Sequence, residues 1–327
     1  MRPARVVDYQ AHWYPATYLE TITGRDTGPT ARRDGGGVYT YVDDLGQSSL
    51  CPHTFHDLDV HLADMDEHGV DVAVISPNLL GEVSRLPVAD AVGALEAINA
   101  EVGRAQRQHP DRLVGLAMLP MQDPDAAIQV LDRACRDDDL AGVCLLSNIA
   151  GRPIVEDGLL SVYRRIEELE IPIFLHPAHT SVVHAVGFGP TIDIGLAWMF
   201  ETAAAALSLI YAGVLDECPG LVVVHPHLGG ALPAVVDRVV DCQIGTRQRH
   251  ELRAYLKRNF YVDCVQRTPR AALLAIETYG LDRVVYGTDF PWLSRNSTRE
   301  AVERTLSEPE LERVFANVVP NLRLPAD

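Results

Sequence analysis

The chain has 327 residues, 47% of them hydrophobic, and a formal net charge of −17 at pH 7. This length and apolar content suffice for one large core, and α/β barrels commonly reach this size as a single domain. The charge argues against nucleic acids and anionic membrane surfaces as partners, because both require clustered Lys and Arg. It does not identify a substrate.

The cysteines and the hydropathy pattern bear on the cellular compartment. The six cysteines, at positions 51, 135, 144, 218, 242 and 264, are scattered and form no C-x-x-C pair. This spacing argues against disulfides and a zinc knuckle and favours a reducing cytoplasm. No signal peptide is predicted at the start, and the longest apolar run, around Ile194 to Leu215, is interrupted by Glu201 and Thr202. We therefore expect a cytoplasmic protein without a membrane partner.

Eight short apolar runs have the length and composition of buried strands. In chain order the predicted strands are Arg5–Tyr9, Val70–Ile75, Leu113–Met118, Ala141–Leu146, Ile171–Leu175, Leu221–Val224, Phe260–Val262 and Arg283–Tyr286. Apolar residues at helical spacing separate them and predict helices over Asp57–His68, Ala89–His109, Pro124–Arg136, Leu159–Glu170, Pro269–Tyr279 and Arg299–Asn317. Gly69 fits a helix C-terminal cap, and Asp123 fits an N-cap before Pro124.

Residues 22–50 interrupt this alternation. The segment is rich in Gly, Asp and Arg and is too long for an ordinary connection, which predicts a lid, a small hairpin or an irregular excursion. Its three consecutive glycines, Gly35 to Gly37, lack the strand–GxxxxGK–helix context of a phosphate loop, so no nucleotide site is predicted there.

The regular alternation of strands and helices predicts a (β/α)₈ TIM barrel, with residues 1–327 as one domain and a loop or small subdomain inserted after strand 1. A doubly wound open sheet is the alternative, but no G-x-G-x-x-G follows the first strand. In a barrel, the active site lies at the C-terminal ends of the strands.

Polar side chains follow four of the predicted strands. They are Gln10 and His12 after the first strand, His176 and His179 after the fifth, His225 and His227 after the sixth, and Asp289 after the eighth. Alternate strand residues share a face, so Gln10 and His12 are expected to point the same way, as are His225 and His227. A single histidine is more often a cap or a core residue. Several N and O donors with one carboxylate, however, suit Zn²⁺, Mn²⁺ or Fe²⁺ with an open coordination position.

With other motifs, these residues resemble the amidohydrolase superfamily, in the branch of 2-amino-3-carboxymuconate-6-semialdehyde decarboxylase. The similarity covers nearly the whole chain outside residues 22–50. It is carried by Met65–Val70, Leu113–Pro124, Phe174–Pro177, Phe200–Thr202, His227–Gly230 and Gly287–Pro291.

The resemblance implies a role for each matching residue. His12 and His176 become metal ligands, and Asp289 becomes a ligand that also exchanges a proton. His227, in the H-x-G-G position, becomes the catalytic acid/base. Gln10 departs from the His or Glu usual at its position: it either binds the metal weakly through its amide oxygen or only hydrogen-bonds nearby. Either way, the ion would keep a charge of about +1 facing Asp289 and remain a good Lewis acid.

The number of metal ions depends on two further observations. His179 and His225 are additional nitrogens that could replace a missing ligand or hold a second ion. The bridging lysine of binuclear relatives is absent from Gly142–Leu146, where Cys144 is expected to be a core residue. One divalent ion is therefore expected, with zinc favoured and manganese or iron as alternatives.

For other residues, the sequence gives weaker support for a role in the site. Glu201 is expected to contact substrate or to pair with an arginine. Trp198 could wall a planar substrate or simply pack in the core. Arg247, together with His53, could approach a substrate carboxylate. The histidines at positions 53, 56, 61 and 68 do not share one helix face and are not expected to form a metal site.

Three functions are compatible with these features. The leading hypothesis is a metal-dependent decarboxylase of an aromatic or conjugated unsaturated carboxylic acid, needing no organic cofactor. The second is a hydrolase or hydratase of a lactone, thioester or amide, which the deviation at Gln10 favours. The third is a metal-free binding barrel, which would predict the loss of several ligands. The resemblance also implies a homodimer.

Overall fold

The computed structural model describes residues 5–26, 30–42, 48–77, 82–178, 192–242, 246–265 and 269–326. Strands and helices alternate along this chain except in the segment of β2, β3 and β4. The strands are β1 (Val7–His12), β2 (Thr30–Arg33), β3 (Tyr39–Val42), β4 (Ser48–Cys51), β5 (Val72–Ser76), β6 (Leu113–Met118), β7 (Gly142–Leu146), β8 (Ile173–His176), β9 (Val223–His225), β10 (Phe260–Asp263) and β11 (Val284–Val285).

The helices pack around the strands. They are α1 (Ala16–Thr21), α2 (His53–His56), α3 (Leu58–His68), α4 (Val88–Gln108), α5 (Pro124–Asp137), α6 (Leu160–Glu168), α7 (Trp198–Tyr211), α8 (Val214–Glu217), α9 (Leu232–Asp241), α10 (Leu252–Asn259), α11 (Pro269–Tyr279), α12 (Arg295–Glu303) and α13 (Glu308–Ala316). Short 3₁₀ turns cover Glu82–Arg85 and Leu281–Arg283, and a π-helical turn over Asp193–Ala197 precedes α7.

Eight strands form one parallel sheet in the order β1-β5-β6-β7-β8-β9-β10-β11. The first and last strands meet through backbone hydrogen bonds. The Tyr9 amide donates to the Tyr286 carbonyl (2.9 Å), and the His12 amide donates to the Phe290 carbonyl (2.7 Å). The sheet is thus a nearly closed barrel with helices between its strands, which confirms the predicted (β/α)₈ fold.

The insertion after β1 is a small subdomain, as predicted. β2, β3 and β4 form a three-stranded antiparallel sheet, with Thr30 opposite Val42 and Tyr39 opposite Cys51. In the first hairpin, the Asp34 carboxylate accepts hydrogen bonds from the amides of Gly36 and Val38. That the whole chain forms one domain stays a prediction.

Two boundaries differ from the sequence-based expectation. β1 does not end at Tyr9 but continues through His12, because the segment after β11 supplies backbone partners for it. The single helix predicted over Arg299–Asn317 is two helices, α12 and α13. Ser307 and Glu310 form a capping box that starts the second one.

The predicted helix caps at Gly69 and Asp123 are confirmed. Gly69 ends α3 with a left-handed backbone (φ 64°). Asp123 accepts the Ala126 amide at the start of α5 (2.9 Å). Both caps satisfy backbone groups that a helix end leaves without partners.

One helical stretch within the described ranges, Ile194–Tyr211, is long and apolar enough to cross a membrane, with a mean hydropathy of 1.5. It contains α7, whose Ala206, Leu209 and Ile210 are buried in the core. A single such helix is weak evidence for a membrane span, because core helices of soluble proteins have the same composition.

Candidate active site

Four of the predicted site residues meet at the C-terminal end of the barrel. Nε2 of His12 lies 2.9 Å from Oδ1 of Asp289, and Nε2 of His227 lies 3.7 Å from Oδ2 of the same carboxylate. The rings of His12 and His176 are in edge-to-face contact, with centroids 5.1 Å apart. The barrel thus brings together His12 at the end of β1, His176 at the end of β8 and His227 after β9 around the carboxylate of Asp289, which follows β11.

The orientation of His12 is set by Ser76 at the end of β5. Nδ1 of His12 is hydrogen-bonded to the Ser76 hydroxyl (2.8 Å), while Nε2 faces Asp289. A hydroxyl can donate to Nδ1 or accept from it. Ser76 can therefore support His12 both when Nε2 carries the proton and when Nε2 is a ligand. Sequence reasoning did not identify Ser76 as a site residue.

His176 has a defined tautomer. Its Nδ1 donates to the Pro177 carbonyl (2.8 Å), so the proton of the neutral ring resides there and Nε2 carries a lone pair. Burial, and then the proximity of His12, lowers the pKa of His176 well below its usual value. A neutral imidazole with an available lone pair is the form that binds metals.

Asp289 sits in a strained backbone conformation (φ 62°), and its amide donates to the Gln10 carbonyl (2.7 Å). Burial alone would raise the pKa of Asp289. Hydrogen bonds from His12 and His227 outweigh burial and lower it below the usual value. Asp289 is therefore held as a carboxylate.

A buried ion pair lies behind Asp289. The Asp8 carboxylate accepts hydrogen bonds from the amide and the hydroxyl of Thr288, and it pairs with Nε of Arg295 (3.3 Å). Neither Asp8 nor Arg295 was predicted to matter. The Asp8-x-Gln10-x-His12 spacing could have suggested the first, but no pattern in the sequence indicates Arg295.

His227 occupies a tight turn, Pro226–Gly229, rather than a strand. His227 and Leu228 both have left-handed backbones (φ 56°). Such a backbone costs about 1–2 kcal/mol for each non-glycine residue. The expectation that His225 and His227 share a face by strand alternation is therefore wrong, because β9 ends at His225.

His225 points to the helix layer instead. Its Nδ1 is hydrogen-bonded to the Tyr279 hydroxyl (3.2 Å), and its ring also packs near Phe260. Burial lowers the pKa of His225 to about 3. His225 is thus not brought into the group around Asp289 and does not replace a ligand there.

Asp263, at the end of β10, is the main site residue that sequence reasoning missed. One oxygen of its buried carboxylate accepts the amides of His227 (2.8 Å) and Val265 (3.0 Å). Burial raises the pKa of Asp263 to about 6. The signal was present, because Phe260–Asp263 is an apolar run ending in a carboxylate, like the one before Asp289.

Gln10 places a buried side-chain amide in the site. Neither Nε2 nor Oε1 of its buried amide has a hydrogen-bond partner in the described part of the chain. The amide lines a cavity of about 20 Å³, with room for about one water molecule or ion. Ser76, Cys144, His12, His176 and Asp263 also line this cavity. Gln10 and His12 thus share a cavity, as expected from their spacing.

A second pocket of about 270 Å³ opens above His227 and Asp289. Its remaining lining is mostly apolar, and Trp198 is half-buried in its wall. The lining residues are Ile194, Gly195, Trp198, Met199, His227, Val265, Asp289 and Leu293. The structure therefore places Trp198 at the site, whereas Trp13 is buried and donates to the His56 carbonyl.

Arg247 lies at the opposite end of the barrel. Its amide donates to the carbonyl of Tyr211, the last residue of α7, whereas Trp198 at the start of α7 lines the pocket. A helix of 14 residues spans about 20 Å. Arg247 is therefore not brought to the pocket of its own chain, and its contact with a substrate stays a prediction.

The other candidates have separate locations. Glu201 accepts a hydrogen bond from Asn148 (3.1 Å), and its contact with a substrate stays a prediction. His53 lies on the inserted subdomain, with its Nε2 3.1 Å from the Gly36 carbonyl oxygen. The rings of His53 and His56 are in contact, with centroids 5.2 Å apart, whereas His61 packs on Phe290 and His68 bonds the Asp64 carbonyl. His179 lies outside the described residues.

Within the described ranges, no three His, Cys, Asp or Glu side chains are already arranged as a closed metal site. The donors nevertheless fit a divalent ion. His12 and His176 would supply imidazole nitrogens and Asp289 a carboxylate oxygen, the donor types that divalent ions accept. In the described part of the chain, the buried Gln10 amide beside them has no hydrogen-bond partner.

Comparisons with known proteins show the family to which such a chain is similar. A family model described as Amidohydrolase matches residues 7–317. Gamma-resorcylate decarboxylase of Rhodococcus jostii (strain RHA1) is 30% identical over 296 residues, covering 83% of this chain and 88% of the relative. The 2-amino-3-carboxymuconate-6-semialdehyde decarboxylase of Dictyostelium discoideum is 28% identical over 251 residues, covering 72% and 67%.

Solved structures support the same fold. The apo form of IDCase from Metarhizium anisopliae has a TM-score of 0.85 at 23% identity, covering 96% of this chain and 95% of that one. Dihydroxybenzoic acid decarboxylase from Polaromonas sp. JS666, with bound manganese and the inhibitor 2-nitroresorcinol, has a TM-score of 0.76 at 21% identity and covers 95% and 94%.

Proposed function

The chain belongs to the amidohydrolase family, and on that premise we propose that it is a divalent-metal-dependent decarboxylase of an aromatic carboxylic acid. The observation that most directly supports this proposal is that His12 and His227 each face one oxygen of Asp289. These residues lie at the base of an apolar pocket that Trp198 lines. The curated relatives, which are decarboxylases by name, support the reaction class.

We assign the metal-holding role to His12, His176 and Asp289, with the Gln10 amide oxygen as a weak fourth donor. The support is the tautomer of His176 and the unpartnered amide of Gln10. When bound, a divalent ion would act as a Lewis acid toward a substrate oxygen and offset developing negative charge. The remaining chemistry falls to the side chains of this chain.

The apolar pocket would bind the ring of the substrate, and Trp198 would contact its face or edge. Loss of CO₂ breaks the bond between the ring carbon and the carboxyl carbon, and the electron pair remains on the ring carbon. That carbon must then receive a proton. His227 and Asp289 lie 3.7 Å apart at the pocket floor, where they can hold this proton and pass it to the ring carbon.

Zinc is the ion that we propose, because two imidazoles and one carboxylate are a common catalytic zinc set. Manganese is the alternative, and it is the ion in the related structure from Polaromonas. Both ions accept the same donors, so reconstitution must decide between them.

We also propose a homodimer in the cytoplasm. The cytoplasmic location is supported by the six cysteines, which are all free. The dimer is supported by exposed Ile194, Leu196 and Phe200 around the start of α7, which give the surface an apolar patch. Light scattering of the purified protein checks the dimer.

The decisive experiment is to assay purified protein, stripped of metal and reconstituted with Zn²⁺ or Mn²⁺, against a panel of hydroxybenzoic acids and aryl esters or lactones. Stoichiometric release of CO₂ with formation of the decarboxylated ring is the expected result. Hydrolysis of the esters or lactones without CO₂ release would replace the decarboxylase by the hydrolase hypothesis. Activity that does not depend on added metal would contradict the metal-dependent mechanism.

A further inference from the structure

Asp263 connects β10 to the turn that carries His227. The Oδ1 atom of its carboxylate accepts the backbone amide of His227 at 2.8 Å and that of Val265 at 3.0 Å. The side chain is 1% exposed and lines the small cavity beside Gln10. This carboxylate therefore touches the backbone of the acid/base residue and not its imidazole.

The turn around His227 needs such support, because four successive residues have positive φ values. His227 and Leu228 are followed by Gly229 (φ 82°) and Gly230 (φ 59°). A Cβ atom on Gly229 would lie 2.6 Å from the Tyr279 hydroxyl, and one on Gly230 would lie 2.5 Å from the Met199 carbonyl oxygen. Glycine is thus required at both positions by backbone conformation and by space.

The glycines permit this conformation but do not select it. Non-glycine residues persist in a left-handed backbone only where surrounding contacts over-determine it. On the N-terminal side of the turn, the contact to the His227 amide comes from Asp263. On its C-terminal side, the Gly230 amide donates to the His227 carbonyl (3.0 Å) and the Ala231 amide donates to the Met199 carbonyl (3.0 Å). The contact between Asp263 and the His227 amide sets the direction in which the His227 side chain points.

We infer that Asp263 is a positioning residue for the proposed decarboxylation: its carboxylate fixes the left-handed turn at His227 and so aims the His227 imidazole at Asp289. This inference rests on the proposed function of His227 as proton carrier. The group that matters is the hydrogen-bond acceptor at its present place. Its negative charge is secondary.

Three substitutions separate these possibilities. Asp263→Asn keeps an acceptor oxygen in the same place without the charge. Asp263→Ala removes the acceptor, and Asp263→Glu moves it by one methylene. Misplacement of a catalytic group by about 1 Å costs on the order of 100-fold in rate. We expect kcat to fall about 100-fold in the Ala and Glu variants and less than about fivefold in the Asn variant, with KM and metal content little changed.

Asp71→Ala is the matched control, because Asp71 also accepts a backbone amide, that of Val6 (2.8 Å), but just before β5, at the far end of the barrel. It should lower the melting temperature and leave kcat within about twofold. All rates are expressed per folded, metal-containing site. The Glu variant provides the test if the Ala variant does not fold.

Two kinetic results would overturn the inference. One is a kcat within about threefold of wild type in the Ala variant, or in the Glu variant if the Ala variant does not fold. The other is an Asn variant as slow as the Ala or Glu variant, which would make the charge the essential property.

A second measurement does not need turnover. In protein labelled with ¹³C-histidine, the His227 ring signal is assigned by its absence from His227→Asn. We expect that signal to move or broaden in Asp263→Ala and to stay near its wild-type position in Asp263→Asn. An unchanged signal in Asp263→Ala would contradict the positioning role. A wild-type protein that releases no CO₂ would refute the proposed function and leave this spectroscopic result standing.

Discussion

Arg295 and Asp8 form an ion pair in which neither side chain is exposed, with Nε of Arg295 3.3 Å from Oδ2 of Asp8. The pair joins α12 to β1. The guanidinium also contacts the Asp64 carboxylate of α3 and lies over the Phe290 ring, 4.0 Å from its centroid. Because Asp8 also holds Thr288, this network connects the strand of Gln10 and His12 to the turn of Asp289.

Removing the cation from this network should destabilise the protein strongly. Arg295→Leu leaves the Asp8 carboxylate buried without its counter-charge, and breaking a buried pair in this way costs about 3–5 kcal/mol. Urea denaturation of the metal-free protein measures this loss. Arg304→Leu is the control, because Arg304 is exposed and forms an i,i+4 pair with Glu300 at the end of α12, which is worth less than about 0.5 kcal/mol. Equal denaturation midpoints for the two variants would contradict the structural role of Arg295.

Metal retention and turnover should respond differently to the two residues at the pocket floor. Asp289→Ala removes the only carboxylate of the proposed ligand set, so it should abolish both turnover and stoichiometric metal. His227→Asn should abolish turnover and retain about one metal ion per chain. Elemental analysis and CO₂ release are the measurements, and Asp282→Ala, at an exposed pair with Arg313, is the control. A metal-free His227→Asn protein would move His227 into the ligand set.

Gln10→Leu should raise the stability of the metal-free protein but weaken the binding of the metal. In the metal-free protein, an apolar side chain replaces an amide whose two polar atoms are buried without partners among the described residues, which should stabilise the fold by about 1–3 kcal/mol. In the presence of metal, loss of the fourth donor should weaken binding. Denaturation with and without Zn²⁺ measures both effects.

Gln122→Leu serves as the comparison for Gln10. The Gln122 amide donates to the carbonyls of Val83 and Leu86, so its replacement should destabilise the protein and leave metal affinity unchanged. Metal affinity unaltered by Gln10→Leu would show that Gln10 is not a ligand.

His225 should make the protein sensitive to acid. Its pKa is about 3 in the folded state because of burial, against about 6.5 in the unfolded chain. Below pH 6.5 the unfolded state binds a proton that the folded state does not, so stability falls as the pH drops from 6.5 towards 3. One such group gives a slope of up to about 1.4 kcal/mol per pH unit.

The variant His225→Asn removes this titration. The unfolding free energy of wild type minus that of the variant, measured between pH 7 and pH 4, should therefore decrease as the pH falls, whatever its value at pH 7. Parallel curves would mean that His225 is not a buried neutral histidine. Only the difference in slope is diagnostic, because other carboxyl and imidazole groups titrate in both proteins.

Much of the barrel could be predicted from sequence, since each strand is a local apolar run bounded by turn residues. All eight barrel strands were predicted within a few residues. One error occurred where a distant segment decides the local structure, and the other at a local helix cap. β1 continues through His12 because Phe290 offers a backbone acceptor, and one predicted C-terminal helix is divided at Ser307, where a capping box begins the next.

The candidate site, too, could be predicted from the sequence only in part. Gln10, His12, His176, His227 and Asp289 stand in the sequence at strand ends, where a barrel must bring polar side chains together. His225 was chosen from proximity in sequence, which does not determine the side of the sheet to which a side chain points, and no local pattern indicates the end of the barrel at which Arg247 lies. Asp263 was passed over, although it also ends a strand, because it lies in no motif.

The amino-acid sequence by itself determined the family, the barrel and the residue types at the strand ends, because hydrophobic periodicity and short motifs are local properties. Only the tertiary structure decided that Asp263 supports the turn of His227 and that the buried Arg295 connects Asp8 to the Asp289 turn. These contacts join residues 36 and 287 positions apart. Closure of the barrel brings them together, and nothing in the local pattern of either partner indicates the other.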